Sequence, residues 1–138
     1  MVTPSNWLAV RARESSLFCD RRIEVLPNGL DTDVYSPTQP DLGRRLFGLP
    51  KQKRLILFGA QATDDPRKGF GLLRHALERL EDTGRYDDVA LVVFGASEPE
   101  DPPDLGFEQH YTGYVDDDQS LSLLYGAADV MVVPSKYE

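Results

Sequence analysis

A chain of 138 residues, 41% hydrophobic and 28% charged, is long enough for one domain with a modest core and too apolar for wholesale disorder. Its net charge of -8 argues against a general nucleic-acid binder, which needs a basic face to displace counterions, and disfavours an anionic membrane surface. A single cysteine, Cys19, excludes an internal disulfide framework and fits a reducing, cytoplasmic setting. With His75 and His110 far away in sequence, Cys19 reads as an ordinary half-buried apolar residue rather than a nucleophile. The opening "MVTPSNWLAV" lacks the basic start and apolar segment of a signal peptide, and no apolar run approaches the roughly 20 residues of a spanning helix.

In chain order, "TPSNWLAVRARESSLF" is expected to be a helix entered through Pro4, with Ser5 as its N-cap. Ile23, Val25 and Leu26 suggest a short strand stopped by Pro27, and Asn28-Gly29 marks a turn. A loop with Pro37 and Pro40 follows, then a short helix in "DLGRRLFGLP" closed by Gly48 and Pro50. "RLILFGA" and "DVALVVFGA" are continuous apolar runs, the pattern of strands buried on both faces. Between them, Phe70, Leu73, Leu77 and Leu80 recur at helical spacing. "QHYTGYV" holds a third strand of this series. "DDDQSLSLLYGAAD" reads as a helix whose acidic start suits the positive end of its dipole, so Asp116 to Asp118 is taken as a helix-start cluster rather than a metal site. "VMVVPS" is the fourth strand, ended by Pro134.

Strand, helix, strand, strand, helix, strand, with two-faced apolar strands, predicts an α/β fold with a parallel sheet covered by helices. Ligands of such sheets bind beyond the carboxyl ends of the strands. "GAQATDDPRKG", "GASEPED" and "PSKYE" all fall there. The last strand has no following helix to cover it, which suggests a truncated domain with an exposed apolar face prone to self-association. Asp129, at the end of a helix, is expected to be structural, and Trp7 and Tyr35 to be packing residues.

Arg67 and Lys68 stand out in this acidic chain. Lys68 falls at or near the first turn of a helix, facing the crevice, where unsatisfied amides already carry partial positive charge and where Asp and Glu are the usual choice. On pattern alone two readings are open. Asp64 and Asp65 could neutralise the pair on a solvated loop, or a bound phosphate could compensate it, with Lys68 as a point charge, Arg67 as a fork and Gly69 allowing close backbone approach. No Walker loop is present.

Taken together, "VLPNGLDTDVYSP", "LILFGAQATDDPRKGFGLLRHAL", "LVVFGAS" and "YTGYVDDDQSLSLLYGAADVMVVPSKYE", in this order and spacing, resemble the nucleotide-sugar glycosyltransferases of family 4. The resemblance covers nearly the whole chain. It implies a retaining enzyme of the GT-B fold, in which two Rossmann-like domains face each other across a cleft. Residues 1–26 would then end the amino-terminal, acceptor-binding domain. Residues 27–40 would be the interdomain connection, and residues 41–138 the front half of the donor-binding domain, an incomplete Rossmann-like parallel sheet with flanking helices.

The resemblance also implies roles. Lys68 matches the lysine that grips the donor diphosphate, and Lys68 and Glu138 are the catalytic candidates. Gly59, Arg67, Lys68, Gly69, Tyr114, Val115 and Glu138 are the donor-binding candidates. Tyr114 and Val115 match the segment whose backbone borders the nucleobase, and Glu138 the first glutamate of an E-x7-E motif near the transferred sugar. The family usually carries an arginine where this chain has Ala60, so Arg67 could substitute or the grip could be weaker. No metal and no cofactor are expected beyond the nucleotide-sugar donor as substrate. The acceptor would be a glycan, a lipid or a small molecule, and peripheral membrane association of a full-length enzyme is compatible with this reading. The isolated chain is expected to be inactive. The alternative is a non-catalytic nucleotide- or phosphate-binding α/β module. A phospho-acceptor signalling domain ranks last, because no strand ends in Asp.

Overall fold

The computed structural model describes residues 1–60, 65–84 and 87–136. The chain divides into two compact units, residues 1–32 and 33–138. Among the described residues no helix is long and apolar enough to cross a membrane.

The first unit holds strand β1 (Val2–Thr3), helix α1 (Asn6–Glu14) and strand β2 (Glu24–Val25), with β1 and β2 paired in parallel. Ser5 caps α1 as the sequence suggests, its hydroxyl accepting from the Leu8 amide at 3.2 Å. The helix stops at Glu14, earlier than expected. Ser15 adopts an extended backbone, and its hydroxyl accepts from the Leu17 amide, the local competition that makes serine a poor helix continuer. Only Ala9 and Ala12 of α1 are buried, against Ile23. With so small a buried face, α1 needs little apolar periodicity. Two expectations fail here. Trp7 is 63% exposed rather than packed, and Cys19 is exposed rather than half-buried. Leu26 lies outside the strand and is exposed.

The second unit runs α2 (Pro40–Leu46), β3 (Arg54–Gly59), α3 (Phe70–Glu81), β4 (Val89–Phe94), β5 (Glu108–Gly113), α4 (Asp118–Ala127) and β6 (Val130–Met131). Its four strands form one parallel sheet in the order β5-β4-β3-β6. The two apolar runs become the central strands, because only a strand with neighbours on both edges and helices on both faces can bury every side chain. Along β3 and β4 alternate residues serve opposite faces. Phe58, Leu91 and Val93 pack with Leu73 and Leu77 of α3. Leu55, Leu57, Ala90 and Val92 pack with Leu124 and Ala127 of α4. The fourth strand is shorter than "VMVVPS" suggests. Its pairing to β3 is flanked by bonds from the Asp129 amide to Leu55 O (3.0 Å) and from the Val132 amide to Leu57 O (2.9 Å). Val130, Met131 and Val133 keep 49%, 43% and 61% of their surface exposed, as an uncovered edge would.

Candidate functional site

A cavity of about 580 Å³ opens at the carboxyl ends of β3, β4 and β6. It is lined by Gly59 at the end of β3 and Ala60 after it, by Gly95 after β4 and by residues 133–135 after β6. This is the end of a parallel sheet at which loops, rather than strand ladders, present the backbone. Its lining combines charged and apolar side chains.

The charged lining is built by the turn before α3. Asp65 sits at its base, and its Oδ1 accepts the Arg67 amide at 2.9 Å. The Arg67 guanidinium then folds back on the same carboxylate, Nε at 3.1 Å from Oδ1 and Nη2 at 2.8 Å from Oδ2. These bonds from Arg67 hold the Asp65 carboxyl below the usual carboxylate range and raise the guanidinium in return. For Arg67 the neutralised reading is therefore the observed one as far as Asp65 goes; Asp64 lies outside the described residues. Lys68 differs: its side chain is exposed at the rim, lines the cavity, and has no ion-pair partner among the described residues. It stands one residue before the N-cap of α3 rather than in the first turn. That N-cap is Gly69, at φ +74°, with no side chain to satisfy the first amides of α3. A Cβ on Gly69 would lie 2.1 Å from Pro134 O, so glycine is required both by its conformation and by the passage of the chain after β6. The Lys136 amide bonds Arg67 O at 2.9 Å and ties the same two segments together.

The apolar lining is formed by Phe94 at the end of β4, Tyr114 and Val115 after β5, and Leu121 of α4. Tyr114 is 72% exposed, while Val115 leans on the α4-side core. Gly113, at φ +71°, turns the chain between β5 and Tyr114 and accepts the Gly95 amide at 2.8 Å. Anionic and flat apolar groups could thus both be held in one cavity.

Residues 52–138 match the family model described as "Glycosyl transferases group 1". This chain is a member of that glycosyltransferase family. It is 33% identical, over 85% of its length, to D-inositol 3-phosphate glycosyltransferase of Xylanimonas cellulosilytica, and 25% identical, over 99%, to glycogen synthase of Streptococcus sanguinis. It covers only 30% and 35% of those two proteins. Its fold is shared with the crystal structure of WaaG, a glycosyltransferase involved in lipopolysaccharide biosynthesis, at a TM-score of 0.75 and 23% identity, covering 99% of this chain and 38% of that one. The sheet and its helices therefore match a Rossmann-like domain of the GT-B fold, as the sequence suggests.

In this family member the structure brings Gly59, Arg67, Lys68, Tyr114 and Val115 onto one cavity, with Gly69 next to Lys68 in the chain. Glu138 lies outside the described residues. Ala60 is 5% exposed, its amide bonded to Phe94 O at 3.0 Å. Arg67 lines the same cavity, but its charge is directed at Asp65. Asp117 caps α4, accepting the Ser120 amide at 2.7 Å, which lowers its pKa, and Asp118 accepts from the Tyr35 hydroxyl at 2.8 Å. Among the described residues no cluster of three or more metal-ligating side chains occurs. Asp129 is structural: it accepts the Leu55 amide at 2.7 Å and pairs with Arg44 at 3.0 Å.

Sequence reasoning missed two groups. Arg44, 7% exposed, donates to Ala127 O, to the carbonyls of Pro50, Lys51 and Lys53, and to Asp129. A buried arginine in a "GRRL" stretch carries no sign that separates it from its exposed neighbour Arg45. Phe94 was read only as strand core, and its place at the end of an apolar run was the one available signal.

Proposed function

We propose that this chain supplies the donor-binding face of a cytoplasmic retaining glycosyltransferase that transfers a sugar from a nucleotide donor to a glycan, lipid or small-molecule acceptor. The observation that carries the reading is the ammonium of Lys68, without an ion partner among the described residues, at the head of α3 and on the rim of the cavity. Family membership supports the sugar-transfer chemistry.

In this reading the donor diphosphate lies between Lys68 and the free amides of α3. Negative charge grows on the diphosphate as the sugar leaves. A cation and helix amides already aimed at that point stabilise it without reorganisation, and no metal is required for the step. Glu138 contacts the sugar, and residues 1–26, 27–40 and 41–138 are the acceptor-side end, the connection and the donor-side part. The 138-residue chain by itself is inactive in this reading. Lys68→Ala in the full-length parent is expected to lower kcat/KM with a nucleotide sugar by roughly 100-fold or more. An unchanged kcat/KM would reject the role of Lys68, and product of inverted anomeric configuration, read by NMR, would reject retention.

A further inference from the structure

We propose that Phe94 determines which nucleobase the cavity accepts, by forming the wall on which the base packs. The inference rests on the donor-binding reading above. Phe94 is the last residue of β4 and stands opposite Gly59 in the ladder. The register between β4 and β5 is irregular at this point: Val93 faces Tyr111, but Phe94 faces Gly113. The extra residue is Thr112, so the bulge lies in β5 and leaves Phe94 with a glycine opposite it on each neighbouring strand, Gly113 on β5 and Gly59 on β3. The Phe94 ring lies over Gly59 so closely that a Cβ there would be 2.5 Å from its Cζ and 2.7 Å from its Cε1. Gly59 is therefore the space the ring occupies.

The ring is also fixed from behind. Tyr125 of α4 meets it edge-on, with centroids 5.9 Å apart and planes at 81°. Tyr35 packs against Tyr125 at 6.2 Å, and its hydroxyl is held by Asp118. Three rings in series, anchored at the outer end, leave Phe94 little freedom to yield to a ligand. Neither Tyr125 nor Tyr35 lines the cavity, so their role is to position Phe94. Phe94 lines the same cavity as Tyr114, Val115, Leu121 and Lys68. A ligand whose diphosphate sits at Lys68 turns its other, flat end to this wall. Aromatic walls hold bases through their π-faces, and a fixed wall also limits base size.

Saturation-transfer NMR and calorimetry with UDP, GDP, ADP, UDP-glucose and inorganic pyrophosphate test this on the 138-residue chain. The wild-type chain is expected to bind pyrophosphate and to rank the three nucleoside diphosphates unequally. Phe94→Ala is expected to weaken the preferred one by about tenfold and to compress the ranking, with pyrophosphate affinity unchanged. Gly59→Ala, which drives the ring from its seat without removing it, is expected to disturb the same ranking. Retained pyrophosphate binding shows that each variant is folded. If Phe94→Ala loses pyrophosphate as well, the Gly59→Ala ranking decides. An unchanged ranking in Gly59→Ala, or an effect on UDP-glucose with none on UDP, overturns the inference and leaves the donor-binding reading intact. No binding of any nucleoside diphosphate or pyrophosphate by the wild-type chain overturns both.

Discussion

At the scale of single residues, the molecule treats its cations in different ways. Lys68 is exposed and has no ion pair among the described residues, whereas Arg67 is tied to Asp65 by two guanidinium bonds. Arg44 is buried and satisfied almost entirely by carbonyl oxygens. Its planar fork reaches the loop before β3, the end of α4 and Asp129 at once, which one ammonium could not do. Arg44→Lys is therefore expected to cost about 2–4 kcal/mol, because several buried carbonyls lose their donors together. Urea unfolding measures this. A loss within about 0.5 kcal/mol, the range of ordinary surface substitutions, would show that Arg44 is dispensable to the packing of α2 against α4.

At the scale of elements, β3 and β4 carry the core and α3 and α4 complete it from opposite faces. Leu124 is fully buried on the α4 face among Leu55, Leu57 and Val92. Leu124→Ala is expected to cost about 2–5 kcal/mol, the transfer and cavity terms of a core leucine, and to lower the thermal midpoint. A loss below about 1 kcal/mol would mean that α4 is not a fixed part of the fold. The same helix carries Tyr125, so a loosened α4 also loosens the seat of Phe94. Element identity was largely legible in the sequence: the two-faced runs, the stripe of Phe70, Leu73, Leu77 and Leu80, and the Ser5 cap all appear as expected. What escaped it was β1, whose two residues are too few for any period and exist only through their pairing with β2.

At the scale of the whole molecule, acid should unfold this protein through its paired carboxylates. Asp65, bonded by Arg67, Glu108, bonded by Lys53 and His110, and Asp117, bonded by the Ser120 amide, all have pKa values below their ordinary 3.8, 4.5 and 3.8. A depressed folded-state pKa contributes stability that is complete above the unfolded value and disappears as pH falls through the folded one. Denaturation midpoints are thus expected to be insensitive to these groups between pH 7 and about 5 and to fall below about pH 4. Asp117→Asn should make that acid slope shallower. An identical slope in the variant would show that the cap does not titrate in this window.

The sequence by itself determined the fold class, the family resemblance and the turn that carries Lys68. Each is written in local pattern: apolar runs, helical periods, glycine and proline punctuation. Only the tertiary structure decided what the charges and rings meet. It paired Arg67 with Asp65, buried Arg44, exposed Trp7 and Cys19, and set Phe94 against Gly59. Those outcomes depend on residues such as Arg44 and Asp129, or Phe94 and Tyr125, that are remote along the chain and become neighbours only when the helices close on the sheet. No local pattern encodes a distance across that fold.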